Sequence, residues 1–259
     1  MANDISPRSE IDPRAKIGNN CKIFPFAYIE GDVVIGDNCI IFPFVSILNV
    51  SRIGNNNKIH QGAVMAALPQ DFNFRGEKSE CVLGNNNIIR ENVVINRATH
   101  TGGRTSLGNN NVLMEGAHIS HDTHVGNDCV FGYGTKIAGD CEIEDRAIFS
   151  SSVIENAATR VGTASFIQAG TTFSKDVPPY VVISPDATYG GVNRIIGQQQ
   201  GIADNVLKHI ANAYRLIYNG GTSLFDAIMQ VREQVPDSEE IQHIVAFVQA
   251  SQKGLVGKL

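Results

Sequence analysis

Isoleucine stands at positions 11, 17, 23, 29, 35, 41, 47, 53 and 59, an unbroken run at a spacing of six. A period of six matches neither the 3.6 residues of an amphipathic helix nor the two-residue alternation of an ordinary strand. It is the spacing of a hexapeptide β-helix, in which short strands wind around a narrow core and each coil stacks on the one before. The register returns as Leu83, Ile89 and Ile95, then as Leu107, Leu113, Ile119, Val125, Phe131, Ile137, Ile143 and Phe149, and again as Val161, Ile167 and Phe173. An all-β solenoid is therefore expected over residues 1–190. Turn segments such as IGNN, IGDN and LGNNN follow the inward residue, where Gly and Asn are expected to relieve the steric strain of positive φ.

The register explains other residues. Cys21, Cys39, Cys81, Cys129 and Cys141 each fall two places before an inward residue, so all five are expected as small core fillers. An odd number of cysteines without a CxxC suits a reducing compartment, and the cytoplasm is the default location. A net charge of −5 argues against nucleic acid as the main partner, and no apolar run reaches the ~18 residues of a membrane span. Glu155 occupies an inward place between Phe149 and Val161. A buried carboxylate is costly, so a bulge that turns Val153 or Ile154 inward is expected there.

Two stretches break the ladder, AALPQDFNFRGEKSE at about 66–80 and NRATHTGGRTS at about 96–106. Loops leaving a rigid solenoid are where binding groups are expected. A C-terminal α-helical domain is expected over 191–259. Val206, Ile210, Tyr214 and Ile217 have helical spacing, NGGTS supplies a stop and a new N-cap, and PDSEE opens a further helix. His209 and His243 in these helices are expected to pack or to face solvent.

The stretch AHISHDTHVG sets His118, His121 and His124 at intervals of three. In a three-sided coil of 18 residues His118 and His124 fall on different faces, so three ligands converging on one ion, and hence a metal, are not expected. Position 121 lies directly below Gly139 on the next coil, about 4.8 Å away. A histidine base beside a backbone N–H on a residue without a side chain is a plausible acyl-transfer pair, and Asp122 can hold the imidazole provided its side chain turns back toward His121, whereas adjacent residues often point apart. An exposed histidine beside a turn aspartate is the competing reading of the same residues.

The segments QDFNFRGE (70–77), IRENVVINRAT (89–99), GNNNVLMEGAHISHD (108–122), KDVPPYVV (175–182), YGGVN (189–193) and NAYRLIY (212–218) run in one order through nearly the whole chain. In this combination the chain resembles the UDP-N-acetylglucosamine O-acyltransferases. These open lipid A biosynthesis by moving a 3-hydroxyacyl group from acyl carrier protein to the sugar 3-hydroxyl. The resemblance implies a left-handed parallel β-helix, a homotrimer with active sites between subunits, and no cofactor. By motif it implies His121 as general base, Asp122 as its partner and Gly139 as the oxyanion donor. It implies substrate contacts at Asp71, His118 and Asn193. The chain departs from the family pattern at Asn73, where relatives carry lysine, and at Asp140 and Asn156, where they carry histidine; Gln198, Gln199 and Gln200 replace an arginine-bearing segment. Carrier docking is then expected to lean on other cations, Arg75, Arg160 or Lys175. The alternatives are N-acylation of a 3-amino nucleotide sugar, a trimeric paralogue that binds without turnover, and a metal-dependent hydratase.

Overall fold

In the computed structural model, which describes residues 2–257, short strands wind into a three-sided solenoid and four helices follow. Each strand pairs in parallel with the strand three places on, 18 residues away in a regular coil: Asp4 lies opposite Lys22, Glu10 opposite Tyr28 and Lys16 opposite Val34. The described strands form sheets of 11, 9 and 8 members, one on each side of the coil. The expected class, a left-handed parallel β-helix followed by helices, is the one observed. The isoleucine ladder lines the interior: Ile23, Ile29, Ile35, Ile41, Ile47, Ile53 and Ile59 are all buried. The five cysteines fill the gaps beside the ladder as expected, and burial pushes the thiols of Cys81, Cys129 and Cys141 up to about 12.

The turns meet the expectation at asparagine but not at the glycine. Positive φ falls two residues after the glycine, +57° at Asn20, Asn38 and Asn56. Gly18 answers to another demand, the closeness of the next coil. A Cβ on it would lie 2.4 Å from Asp37 Oδ1 and 2.6 Å from the Gly36 backbone. The residue after this glycine continues as a side-chain ladder between coils: Asp37 N–H donates to Asn55 Oδ1, Asn55 N–H to Asn85 Oδ1 and Asn85 N–H to Asn109 Oδ1, each at 2.7–2.8 Å. Turn amides that would otherwise lack partners inside a stacked solenoid are satisfied in this way.

At Glu155 the structure corrects the sequence. The coil keeps its register, with Glu155 opposite Ile137 below and Phe173 above, while Ile154 stays exposed. The carboxyl is fully buried. One oxygen accepts from the Thr159 hydroxyl at 2.9 Å, and the other has no hydrogen-bond partner among the described residues. Backbone pairing on both faces outweighs one misplaced side chain, because a bulge would also displace the neighbouring coils. The side chain answers by holding its proton instead: burial pushes its pKa up to about 8.

The helices are α1 (Arg194–Gln199), α2 (Asp204–Asn219), α3 (Leu224–Gln234) and α4 (Glu239–Ala250). Ser223 and Ser238 cap α3 and α4 through their side chains. The short α1 lies N-terminal to the first helix expected from the sequence. Leu207, Ile210, Tyr214 and Ile217 of α2 are buried, and Tyr218 stacks on Tyr189 at 4.3 Å. Helix α4 packs on the solenoid. Its Phe247 ring lies under the Arg160 guanidinium at 4.2 Å, and His243 Nε2 reaches Glu144 Oε2 at 2.9 Å. Burial pushes Glu144 up, but the hydrogen bond and charge of His243 and two bonds from Thr163 outweigh it and hold the carboxyl below its usual range.

Candidate active site

The three histidines of the quoted stretch do not converge. His118 and His124 sit in strands of different sheets, and His124 Nδ1 meets Ser106 Oγ at 2.9 Å, away from the others. His121 lies on the turn between them, with Asp122 next to it in the left-handed conformation, φ +56°. That reversal lets two adjacent side chains meet: His121 Nδ1 is 3.0 Å from Asp122 Oδ2. An ionised carboxylate only accepts, so Nδ1 carries the proton and Nε2 keeps its lone pair.

Asp122 is itself held tightly. Its Oδ2 also accepts from Thr99 N–H at 2.9 Å and from the Thr99 hydroxyl at 2.7 Å, while its own N–H donates to Thr105 Oγ1 at 2.8 Å. His100 Nδ1 lies 2.9 Å from Oδ1. Burial pushes Asp122 up, yet the Thr99 bonds, the His121 bond and the charge of His100 prevail and its pKa is lowered. The carboxylate thus stays ionised beside the imidazole.

Gly139 stands directly above, as the 18-residue register implies. A Cβ on it would lie 2.4 Å from His121 Cε1 and 2.7 Å from Nε2, so only glycine lets the ring lie against this backbone. Its neighbours are bonded, Ala138 N–H to Glu155 O and Asp140 N–H to His121 O, both at 3.0 Å. Gly139 N–H has no acceptor among the described residues. The residue against which the His121 ring rests thus carries an N–H without an acceptor among the described residues.

Asp71, on the first loop, also approaches the imidazole. Its Oδ2 is 3.8 Å from His121 Nε2, too far for a hydrogen bond. Asn73 N–H donates to Asp71 Oδ1 at 2.6 Å and fixes the loop. The side chains of Asp140 and Asn156 are exposed on the turns above, one coil apart. Asn193 stands elsewhere: it is buried, caps α1 by accepting from Ile196 N–H, and donates to Ala164 O at 2.9 Å. His121, Asp122 and Asp140 offer donor atoms within 4.8 Å of one another. Three hydrogen bonds already converge on Asp122 Oδ2, so this cluster is built to hold an imidazole. Of the cations expected to meet a carrier, Arg160 is engaged with Glu142 and Phe247, and Arg75 is exposed.

The sequence alone points to no role for Thr99, Thr105 or Asn96; it predicts a binding loop at 96–106 without distinguishing a residue in it. The register carried a usable signal for one of them. Ser106 pairs with His124, which puts Thr105 one coil below the turn that holds Asp122.

A histidine–aspartate dyad packed against a glycine with an unused backbone N–H, on a parallel β-helix, fits a hexapeptide-repeat acyltransferase. Residues 14–49 and 104–139 match the bacterial transferase hexapeptide family, and residues 176–256 match domain 2 of UDP-N-acetylglucosamine O-acyltransferase. The chain is 34% identical to an acyl-carrier-protein-dependent UDP-N-acetylglucosamine O-acyltransferase of Halorhodospira halophila, over 97% of this chain and 98% of the relative. Among solved structures, a UDP-N-acetylglucosamine acyltransferase from Bacteroides fragilis superposes with a TM-score of 0.96 at 48% identity, covering 97% of this chain and 99% of that one. A relative from Acinetobacter baumannii superposes at 0.93 with 30% identity, covering 98% and 99%. The chain belongs to the UDP-N-acetylglucosamine O-acyltransferase family.

Proposed function

We propose that this chain transfers a 3-hydroxyacyl group from acyl carrier protein to the 3-hydroxyl of UDP-N-acetylglucosamine, the first step of lipid A biosynthesis. The observation that carries the reading is the His121 Nε2 lone pair beside the free Gly139 N–H, with Asp122 fixing the tautomer. His121 takes the proton of the sugar hydroxyl as that oxygen bonds to the thioester carbonyl carbon. Gly139 N–H holds the oxyanion of the tetrahedral intermediate. As the intermediate collapses the C–S bond breaks, and the departing sulfur receives the proton from the His121 imidazolium. A thiol with a pKa near ~8.5 leaves readily, so the step needs no metal or redox group.

Asp71, Asn73, His118, Asp140, Asn156 and Asn193 are assigned to the nucleotide sugar, and the working form is a homotrimer. Exposed apolar residues on the loop that carries Asp71 support a partner subunit there: Phe72 is 100% exposed and Leu68 62%. Asn193, buried as a helix cap, acts on the sugar nucleotide through the backbone it positions. The side chains of Asp140 and Asn156 stand exposed above the dyad and are free to take a substrate. No described helix is long and apolar enough to cross a membrane.

The test is product identification. Purified protein is given 3-hydroxyacyl carrier protein with UDP-N-acetylglucosamine or with its 3-amino analogue, and the products are resolved by mass spectrometry and by lability to mild base. A base-labile ester on the hydroxyl sugar is expected. An amide formed on the amino sugar alone would make the chain an N-acyltransferase, and no product on either sugar from folded protein would make it a binding paralogue.

A further inference from the structure

His118 is half-buried and its ring has one well-defined partner. Its Nε2 is 2.6 Å from Asn96 Oδ1. Asn96 is 1% exposed, and its orientation is fixed from behind: Nδ2 donates to Leu68 O at 2.7 Å and lies 3.4 Å from Ala67 O. A carbonyl can only accept, so the atom facing Leu68 is the NH2, and the atom facing His118 is the amide oxygen. An oxygen without a proton obliges His118 Nε2 to carry one. Nδ1 has no protein partner among the described residues.

The backbone is shaped for this relay. The strand Val64–Ala67 bulges at Ala66, which takes φ +57°, and the register shift brings Ala67 opposite Asn96. The bulge is where the Asp71 loop leaves the solenoid, and it leaves the Ala67 and Leu68 carbonyls where the Asn96 amide can reach them. Asn96 thus ties the root of that loop to His118, on the strand just before His121. Burial, with the charge of Lys136 one coil above and of His121, lowers the His118 pKa. Among the described residues, the polar and charged groups that act on His118 are Asn96, Lys136 and His121, none of them a carboxylate.

We propose that Asn96 is a positioning residue that holds His118 as the Nε2–H tautomer, so that His118 meets the substrate with the Nδ1 lone pair. The chemistry selected there is a hydrogen-bond donor, a hydroxyl or amide N–H of the sugar nucleotide or the acyl carrier arm. A phosphate oxygen is disfavoured, because it would face a lone pair. The inference rests on the reading of His118 as a substrate contact, but the tautomer itself does not.

Two measurements separate the inference from that reading. Two-bond 1H–15N spectra of histidine-labelled protein, with His118 assigned through His118→Gln, report the tautomer without any substrate. The expected spectrum shows a protonated Nε2 and an unprotonated Nδ1 at pH 8, and in Asn96→Leu a mixture of tautomers. A protonated Nδ1 in the unmodified protein, or an unchanged spectrum in Asn96→Leu, overturns the inference. In the transfer assay Asn96→Leu is expected to raise KM for one substrate roughly tenfold and to lower kcat less than about threefold, as loss of one positioned hydrogen bond implies. Unchanged KM for both substrates overturns the assigned role. If Asn96→Leu does not fold, Asn96→Asp keeps an acceptor toward Nε2 and adds a charge. His118 must then titrate at higher pH, and an unmoved titration overturns the contact.

Discussion

The buried Glu155 makes a strong and unusual prediction about stability. Its carboxyl has a pKa of about 8 in the folded chain against 4.5 for a solvated glutamate, because burial disfavours the charge. The unfolded chain releases this proton as pH rises through about 4.5, whereas the folded chain keeps it until about 8. Over that window the folded state binds more protons, and stability falls with pH. At 1.36 kcal/mol per unit, a shift from 4.5 to about 8 amounts to about 5 kcal/mol once both states are ionised, of which about 3 kcal/mol is lost by pH 7. Glu155→Gln keeps the shape and can still bond Thr159, but has no proton to release. Between pH 5 and 9 the unmodified chain is expected to lose about 4 kcal/mol per chain relative to Glu155→Gln, roughly 10 °C in Tm for a chain of this size. Urea unfolding of both proteins across that range reads the difference directly. Parallel pH profiles for the two would refute the argument, because they would mean that Glu155 titrates alike folded and unfolded.

Other predictions follow from the site. Gly139→Ala drives a Cβ against the His121 ring and displaces it from the backbone N–H, so transfer is expected to drop at least about 100-fold with Tm changed by only a few degrees, as seen in steady-state rates and a melting curve. Thr99→Val removes the 2.7 Å hydroxyl bond to Asp122, and kcat is expected to fall roughly tenfold with KM little changed. Glu144→Gln is expected to destabilise the docking of α4 by roughly 1–3 kcal/mol at pH 7. Because the folded Glu144 pKa is lowered, that contribution is present above about 4.5 and is lost as pH falls, so unfolding midpoints of the two proteins should converge toward pH 3.

The solenoid was legible because its core is a one-dimensional ladder: one inward residue in six, with strand order following from the coil length. The same regularity places Gly139 over His121 from the period alone. The ladder was less informative where residues answer to two demands at once. Gly18 looked like a turn residue and is in fact a close-approach residue, because stacking distance, which period alone does not express, decides it. Glu155 looked like a break in the ladder and is a neutral member of it, because protonation resolves the conflict without moving backbone. At Asp122 the sequence left open whether adjacent side chains could meet, and a left-handed residue answers it. Thr99 and Asn96 lie in or beside the loops, outside the repeat, so no periodicity points to their partners.

The central claim, that His121 is the general base of an acyl transfer to a sugar hydroxyl, is tested most directly by thiol release. Free carrier-protein thiol is followed from 3-hydroxyacyl carrier protein with and without UDP-N-acetylglucosamine, for the unmodified chain and for His121→Ala. Release that depends on the sugar nucleotide and falls 100-fold or more in the variant, within the range of a lost general base, is the expected result. Release that persists in His121→Ala at an undiminished rate would contradict the account.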